Sequence, residues 1–155
     1  MTPTAACSAG QRSICAKACK GRDTSRVESQ LISSGGLYEG VVGYSRAVRV
    51  GDRVFVAGCA PVMADGNDPP EDSFGQTKRC IEIIEKAMTD AGGSLADVVR
   101  TRVYLTPDAD FEAFGRAHGE AFGEIRPANT TVVIHSLIDP RWLLEIEAEA
   151  VLRQT

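Results

Sequence analysis

The chain has 155 residues, 17 Lys and Arg against 21 Asp and Glu, 43% hydrophobic residues and 25% charged ones, which reads as one soluble domain with a single core. No window approaches the roughly 18 consecutive apolar residues of a membrane span. A pI near 5.2 offers no general attraction for phosphate backbones, so the balance argues against both a membrane protein and a broadly basic nucleic-acid binder.

The charge is unevenly placed. Residues 1–36 hold five basic side chains (Arg12, Lys17, Lys20, Arg22, Arg26) and two acidic ones (Asp23, Glu28), net +3, which leaves −7 for the rest of a chain that totals −4. This head is rich in Ala, Ser and Gly and lacks apolar periodicity, so it is expected to be a disordered basic extension, from an over-long start or as an organelle transit peptide. Cys7, Cys15 and Cys19 lie in it, Cys59 and Cys80 beyond it. An odd total argues against a complete disulfide framework, and this spacing without a nearby His is a poor zinc pattern, so no metal is expected. The compartment is expected to be reducing, hence the cytoplasm, with an organelle as the alternative if the head is a transit peptide.

The domain itself is expected over residues 37–155. Ala47 to Val50 and Arg53 to Ala57 are short β-rich runs separated by Gly51-Asp52, and a leading Gly suits the type II′ turn of a two-residue hairpin. Met63 to Glu71 is a loop, since Pro69-Pro70 lets no regular element through. A helix follows: Asp72 or Ser73 can cap it, Phe74, Thr77, Ile81, Ile84, Met88 and Ala91 recur at three-and-four spacing, and Gly92-Gly93 end it. Cys80 borders its apolar face as a small buried hydrophobe. Val99 to Leu105 reads as a strand with Val99, Thr101, Val103 and Leu105 on one side. Thr106-Pro107-Asp108 breaks it and starts a second helix whose Phe111, Phe114, His118, Ala121 and Phe122 share a face, which makes His118 a core histidine rather than a catalytic one. Thr130 to His135 and Leu143 to Leu152 read as closing strands; in the last, Leu144, Ile146, Ala148 and Ala150 alternate with Glu145, Glu147 and Glu149.

The order β-β-α-β-α-β-β predicts an α+β domain, a mixed sheet with both helices on one face. Three glutamates on one strand face are hard to bury in a monomer. The second face of the sheet therefore meets water or another subunit, and Val54, Val56, Val103, Val132 and Ile134 would serve the second option.

General catalytic motifs are missing: no Gly-rich phosphate loop, no Gly-x-Ser-x-Gly, no His-Glu-x-x-His and no Cys-x-x-Cys. Five ordered segments carry more information. Gly43-Tyr44-Ser45-Arg46-Ala47, Val54-Phe55-Val56-Ala57-Gly58, Ala91-Gly92-Gly93-Ser94-Leu95-Ala96-Asp97-Val98-Val99, Arg126-Pro127-Ala128 and Glu145-Ile146-Glu147-Ala148 follow one another as in the Rid family, the YjgF-type reactive intermediate deaminases, older members of which were labelled L-PSP endoribonucleases. The resemblance runs from about Tyr44 to Leu152.

It implies a chorismate-mutase-like fold, a homotrimer, and three intersubunit clefts in which a small enamine or imine is hydrolysed to a keto acid and ammonia without a cofactor. A family glutamate associated with the water matches Glu145. Tyr44 matches a tyrosine near the ligand, and Gly58 a glycine where the backbone approaches it. Cys59 follows where many members are polar; it is either a buried inert thiol or, with a lowered pKa, a reactive one.

The family arginine that pairs with the substrate carboxylate is absent. Asn129 stands in its place, with Thr131 two residues on along the same strand face. An amide cannot make the charged two-pronged contact of a guanidinium. Charge-assisted hydrogen bonds contribute about 1.5–3 kcal/mol each, so a carboxylate at that position would bind roughly one to two orders of magnitude more weakly. Three readings stay open: a ligand without that carboxylate, a binder without turnover, or another cation, such as Arg141 beside Trp142, reaching the cleft. The functions expected are, first, a cofactor-free imine or enamine hydrolase with Glu145 catalytic and Asn129, Thr131, Tyr44, Gly58, Cys59 and Arg141 around the ligand; second, a non-catalytic ligand-binding homotrimer; and last, from the older family label alone, an endoribonuclease, which a −7 body disfavours.

Overall fold

The elements in chain order are β1 (Ser29–Ile32), β2 (Ala47–Val50), β3 (Arg53–Cys59), α1 (Ser73–Asp90), β4 (Val98–Leu105), α2 (Phe111–Phe122), β5 (Ala128–Val133) and β6 (Leu144–Val151) in a computed structural model that describes residues 28–36 and 38–153. The strands form one mixed sheet in the order β1-β2-β3-β6-β4-β5, in which β4 and β5 run parallel and the other neighbours antiparallel. Helix α1 packs on β3 and β6 and against α2, so the expected α+β architecture with both helices on one face is present.

Strand pairing begins before residue 37, where the domain was expected to start. Ser29 stands opposite Val50 and Ile32 opposite Ala47. Of the four β1 residues only Ile32 is buried, so the strand has no alternation to read; the exposed edge of β2 recruits it. Over residues 1–27, which include Cys7, Cys15 and Cys19, the extension and transit-peptide readings fall outside the described residues.

Local chemistry accounts for most element ends. Gly51 takes φ +62, which the first turn position between β2 and β3 requires. The Asp72 side chain accepts from Gly75 N and caps α1. At the other end Gly92 lies at φ +82, its N–H bonds Thr89 O and the next N–H bonds Met88 O, a Schellman closure. Helix α2 begins at Phe111 rather than straight after Pro107, because Asp110 is its cap and accepts from Glu112 N and Ala113 N. Its buried stripe is Ala113, Phe114, Ala117 and Phe122, while Phe111 is exposed.

The alternation expected in β6 is present, with Leu144, Ile146, Ala148 and Ala150 at most 2% exposed. In β4, however, the register slips between Val98 and Arg100, so Val98 takes the core position and Val99 turns outward. Val54, Val56 and Val103, expected on the second sheet face, belong to the core beneath the helices. The glutamates on that second face are partly compensated: Arg102 binds Glu147 Oε1 and Glu149 Oε1, each at 2.7 Å.

Between β1 and β2 a single π turn, Glu39–Gly43, delivers the chain to Tyr44. It is anchored by the Glu39 carboxylate, which accepts from Ser33 Oγ (2.5 Å), Ser34 N (2.9 Å) and Ser34 Oγ (2.5 Å). The serine hydroxyl donors hold its pKa down at about 2, against 4.5 ordinarily. A depressed carboxyl contributes stability that is complete above its unfolded pKa and is lost as the pH falls through the folded one. The protection factor of the Ser34 amide, its exchange rate relative to the unstructured chain at the same pH, is therefore expected to fall as the pH drops from about 4.5 towards 2, and Glu39→Gln to abolish that pH dependence.

Candidate functional site

The alternation of β6 turns Glu145 away from the core, opposite Tyr104 on β4. On its other side β3 carries a bulge: Val56 opposes Ala148 but Cys59 opposes Ile146, so one extra residue is accommodated between them. The bulge presents the Gly58 backbone to Glu145, and a Cβ on Gly58 would overlap Glu145 Oε1. Only glycine lets the carboxylate lie against the strand in this way.

Arg46, in the residue before β2, ties this corner together. Its Nη1 donates to Gly58 O at 2.7 Å and contacts Cys59 Sγ at 3.4 Å, and its Nη2 donates to Tyr44 Oη at 3.3 Å. The guanidinium carbon also lies 5.7 Å from the centre of the Tyr44 ring. Burial raises the pKa of Glu145, the Arg46 charge opposes that rise, and Glu147 adds to it. Glu145 is thus a half-buried carboxylate with above-normal proton affinity, beside a cation.

Tyr44 joins this corner to an open groove of about 710 Å³ lined by Leu31, Glu39, Tyr44, Val48, Phe55 and Ala57. Cys59 lies beneath the bulge at 1% exposure, its thiol donating to Ala57 O at 3.2 Å. Burial pushes its pKa up to about 11. It therefore has the character of an inert buried thiol rather than a nucleophile.

Asn129 and Thr131 belong to a second network. Thr131 Oγ1 donates to Asn129 Oδ1 at 2.9 Å, Asn129 Nδ2 donates to Thr101 Oγ1 at 3.0 Å, and Thr101 Oγ1 stands 3.2 Å from His118 Nε2. With its oxygen accepting from Asn129, the Thr101 hydroxyl is placed to donate to a neutral His118 whose proton is on Nδ1. Burial lowers the His118 pKa and favours that neutral form. The ring is flanked by Phe114 and Phe122, with centroids 5.5 and 4.7 Å away. Thr101→Val keeps the volume of a fully buried side chain and removes both bonds. It is expected to cost about 1–3 kcal/mol in urea unfolding, because Asn129 Nδ2 and His118 Nε2 lose a shared partner.

The two networks lie on opposite faces of the sheet. Thr101 pairs with Asn129 and Val103 with Thr131 on the helix side, whereas Glu145 pairs with Tyr104 on the open side. Within one chain Asn129 and Thr131 do not meet Glu145, Tyr44 and Gly58. Arg141 meets neither network: it is exposed and bound by Asp139 (2.6 Å) and Asp68 (2.5 Å). It was a candidate because of its position near Trp142, but a carboxylate two residues earlier in the chain captures it.

Two participants escaped the sequence reading. Arg46 lies in the first of the five matched segments, and its signal is a cation two residues after the matched tyrosine and just before an apolar strand. Thr101 was read as a core position, which it is, with its hydroxyl serving Asn129.

A family model described as Endoribonuclease L-PSP matches residues 38–152. The chain is 41% identical over 108 residues to a RutC family protein of Pyrococcus abyssi, covering 69% of this chain and 84% of that one. It is 34% identical over 109 residues to the 3-aminoacrylate deaminase RutC of Acinetobacter baylyi, covering 69% and 85%. A crystal structure of a YjgF/YER057c/UK114 family member from Mycobacterium tuberculosis superposes with a TM-score of 0.73 at 42% identity, covering 81% of this chain and 100% of that one. With the match spanning both helices and every strand but β1, the chain belongs to the YjgF/Rid family.

Proposed function

We propose that the protein is a cofactor-free hydrolase of a small imine or enamine, acting in clefts between the subunits of a homotrimer. The observation that carries this reading is the Glu145 carboxylate, half-buried, laid on the Gly58 backbone and adjacent to Arg46. In that position it takes a proton from water as the water oxygen bonds to the imine carbon and returns it to the nitrogen, giving a carbinolamine; the carboxylate then passes the carbinolamine hydroxyl proton to the nitrogen as the C–N bond breaks, leaving a carbonyl compound and ammonia. The relative named as a 3-aminoacrylate deaminase supports the reaction class. Because Asn129 and Glu145 lie on opposite sheet faces, a cleft containing both draws them from two copies. Asn129 and Thr131 then offer neutral hydrogen bonds to the far end of the ligand.

A second reading, a ligand-binding trimer without turnover, is favoured by the Asn129 amide, whose oxygen and nitrogen are both already engaged. The deciding experiment incubates the full chain with freshly generated imines, some bearing a carboxylate and some not, and follows ammonia release. Acceleration over buffer that disappears in Glu145→Gln supports hydrolysis; saturable binding with no ammonia supports the second reading. Mixing Glu145→Gln with Asn129→Ala subunits is expected to restore part of the activity, since some mixed trimers hold one intact cleft. No restoration would sink the two-subunit cleft.

A further inference from the structure

Arg46 has donors that the protein does not use. A guanidinium has five N–H groups; here they meet three neighbours, Gly58 O, Cys59 Sγ and Tyr44 Oη, all on uncharged groups. One Nη2 donor is left over. The Nε is the one buried side-chain nitrogen or oxygen among the described residues without a hydrogen-bond partner. The Nε and Nη2 nitrogens lie along one edge of the planar guanidinium, the edge by which an arginine grips a carboxylate with two parallel bonds. Arg79, Arg102 and Arg141 are each bound by a carboxylate; Arg46, like Arg49, Arg53, Arg100, Arg116, Arg126 and Arg153, has none within ion-pair distance among the described residues, and it alone of these has a buried nitrogen without a partner. It is half-buried, a costly place for a cation that no anion touches.

The geometry points to Arg46 as the anion-reading residue of the site: a small ligand carboxylate docks against its guanidinium, beside Tyr44 and Glu145. The inference deepens the proposed function, on which it rests for the nature of the site. It moves the charge recognition of the ligand from the position of Asn129 to the opposite wall of the cleft. The substrate class is then an imine or enamine that does carry a carboxylate, held close to the carbon that the Glu145-bound water attacks, with an uncharged polar group directed to Asn129 and Thr131. Arg46 thereby does two things. It holds the Gly58 bulge and the Tyr44 hydroxyl in place, and it presents its remaining donors to the ligand.

The test needs no turnover. Butyrate and butyramide, matched in size and different in charge, are titrated into the full chain and followed by calorimetry or amide chemical shifts. The parent is expected to bind butyrate at least tenfold more tightly than butyramide. Arg46→Gln is expected to weaken butyrate roughly ten- to a hundredfold with little effect on butyramide, and Asn129→Ala to leave the ratio between the probes unchanged. Arg46→Lys, which keeps the charge and serves if the glutamine variant fails to fold, is expected to keep a reduced preference for butyrate. Equal binding of the two probes by the parent, or no binding of either, would overturn the inference. So would equal weakening of both probes in Arg46→Gln, the result expected if Arg46 only holds Tyr44 and Gly58. If the carboxylate preference is found while no imine releases ammonia, the anion subsite stands and the hydrolase reading falls.

Discussion

Glu145→Gln is expected to lower imine hydrolysis by about 10² to 10⁴, the usual contribution of a positioned general base, while raising the melting temperature near pH 7. Both effects have the same origin. Burial, with help from Glu147, raises the Glu145 pKa above 4.5 in spite of the opposing Arg46 charge. The folded protein therefore holds the Glu145 proton more tightly than the unfolded chain does. The sign follows: stability is complete below the unfolded pKa and decreases as the pH rises through the folded one. A neutral amide of the same shape escapes that cost, so the variant and the parent converge in stability below about pH 4.5 and separate above it. Activity runs the other way, because the reaction needs the carboxylate, and the rate falls as the pH drops through the folded pKa. Thermal melts from pH 4 to 8 beside a pH–rate profile check the pair. A variant less stable than the parent at pH 7 would contradict the assignment of Glu145 as a charge held against its preference.

The second large effect is expected from a single methyl group. In Gly58→Ala the new Cβ overlaps Glu145 Oε1, and what must give way is the end of a flexible side chain rather than backbone. The fold therefore tolerates the change, with an expected loss of about 1 kcal/mol or less in urea unfolding, as for a substitution that opens no cavity and strands no core group. The carboxylate, however, is driven off the bulge. A displacement of about 1 Å is enough to cost a hundredfold in rate where geometry sets the reaction, so hydrolysis is expected to fall by at least that factor with binding of the probes largely kept. Parallel measurement of stability, probe affinity and rate checks this. A Gly58→Ala protein that retains full rate would show that the carboxylate does not act from this position.

Much of the fold was legible because its signals are local. Gly51 needs only its own φ to make the hairpin, Asp72 and Gly92 close α1 within a turn of themselves, and the alternation of β6 names its own core face. What escaped depends on partners distant in sequence. Strand β1 exists because β2 offers it an edge, and the outward turn of Val99 follows from a register slip against β6. The site divides in the same way. Five matched segments led to Glu145, Gly58 and Tyr44, but which residues face one another across the sheet is set by the parallel pairing of β4 with β5 and the antiparallel pairing of β4 with β6. No periodicity within one strand reveals that Asn129 and Glu145 lie on opposite sides. Arg46 was missed because its importance resides in atoms of Gly58 and Cys59, on the next strand.

Strand β3 holds one residue more than its ladder with β6 can pair. A chain shortened by one residue between Val56 and Cys59 would have a more regular sheet and would still send Val54, Val56 and the thiol position into the core. What such a chain would lose is the spare stretch of backbone on which Glu145 rests. The fold and the chemistry can thus be varied separately in this strand: its inward residues answer to packing, and its surplus residue answers to the carboxylate and the guanidinium that meet its backbone.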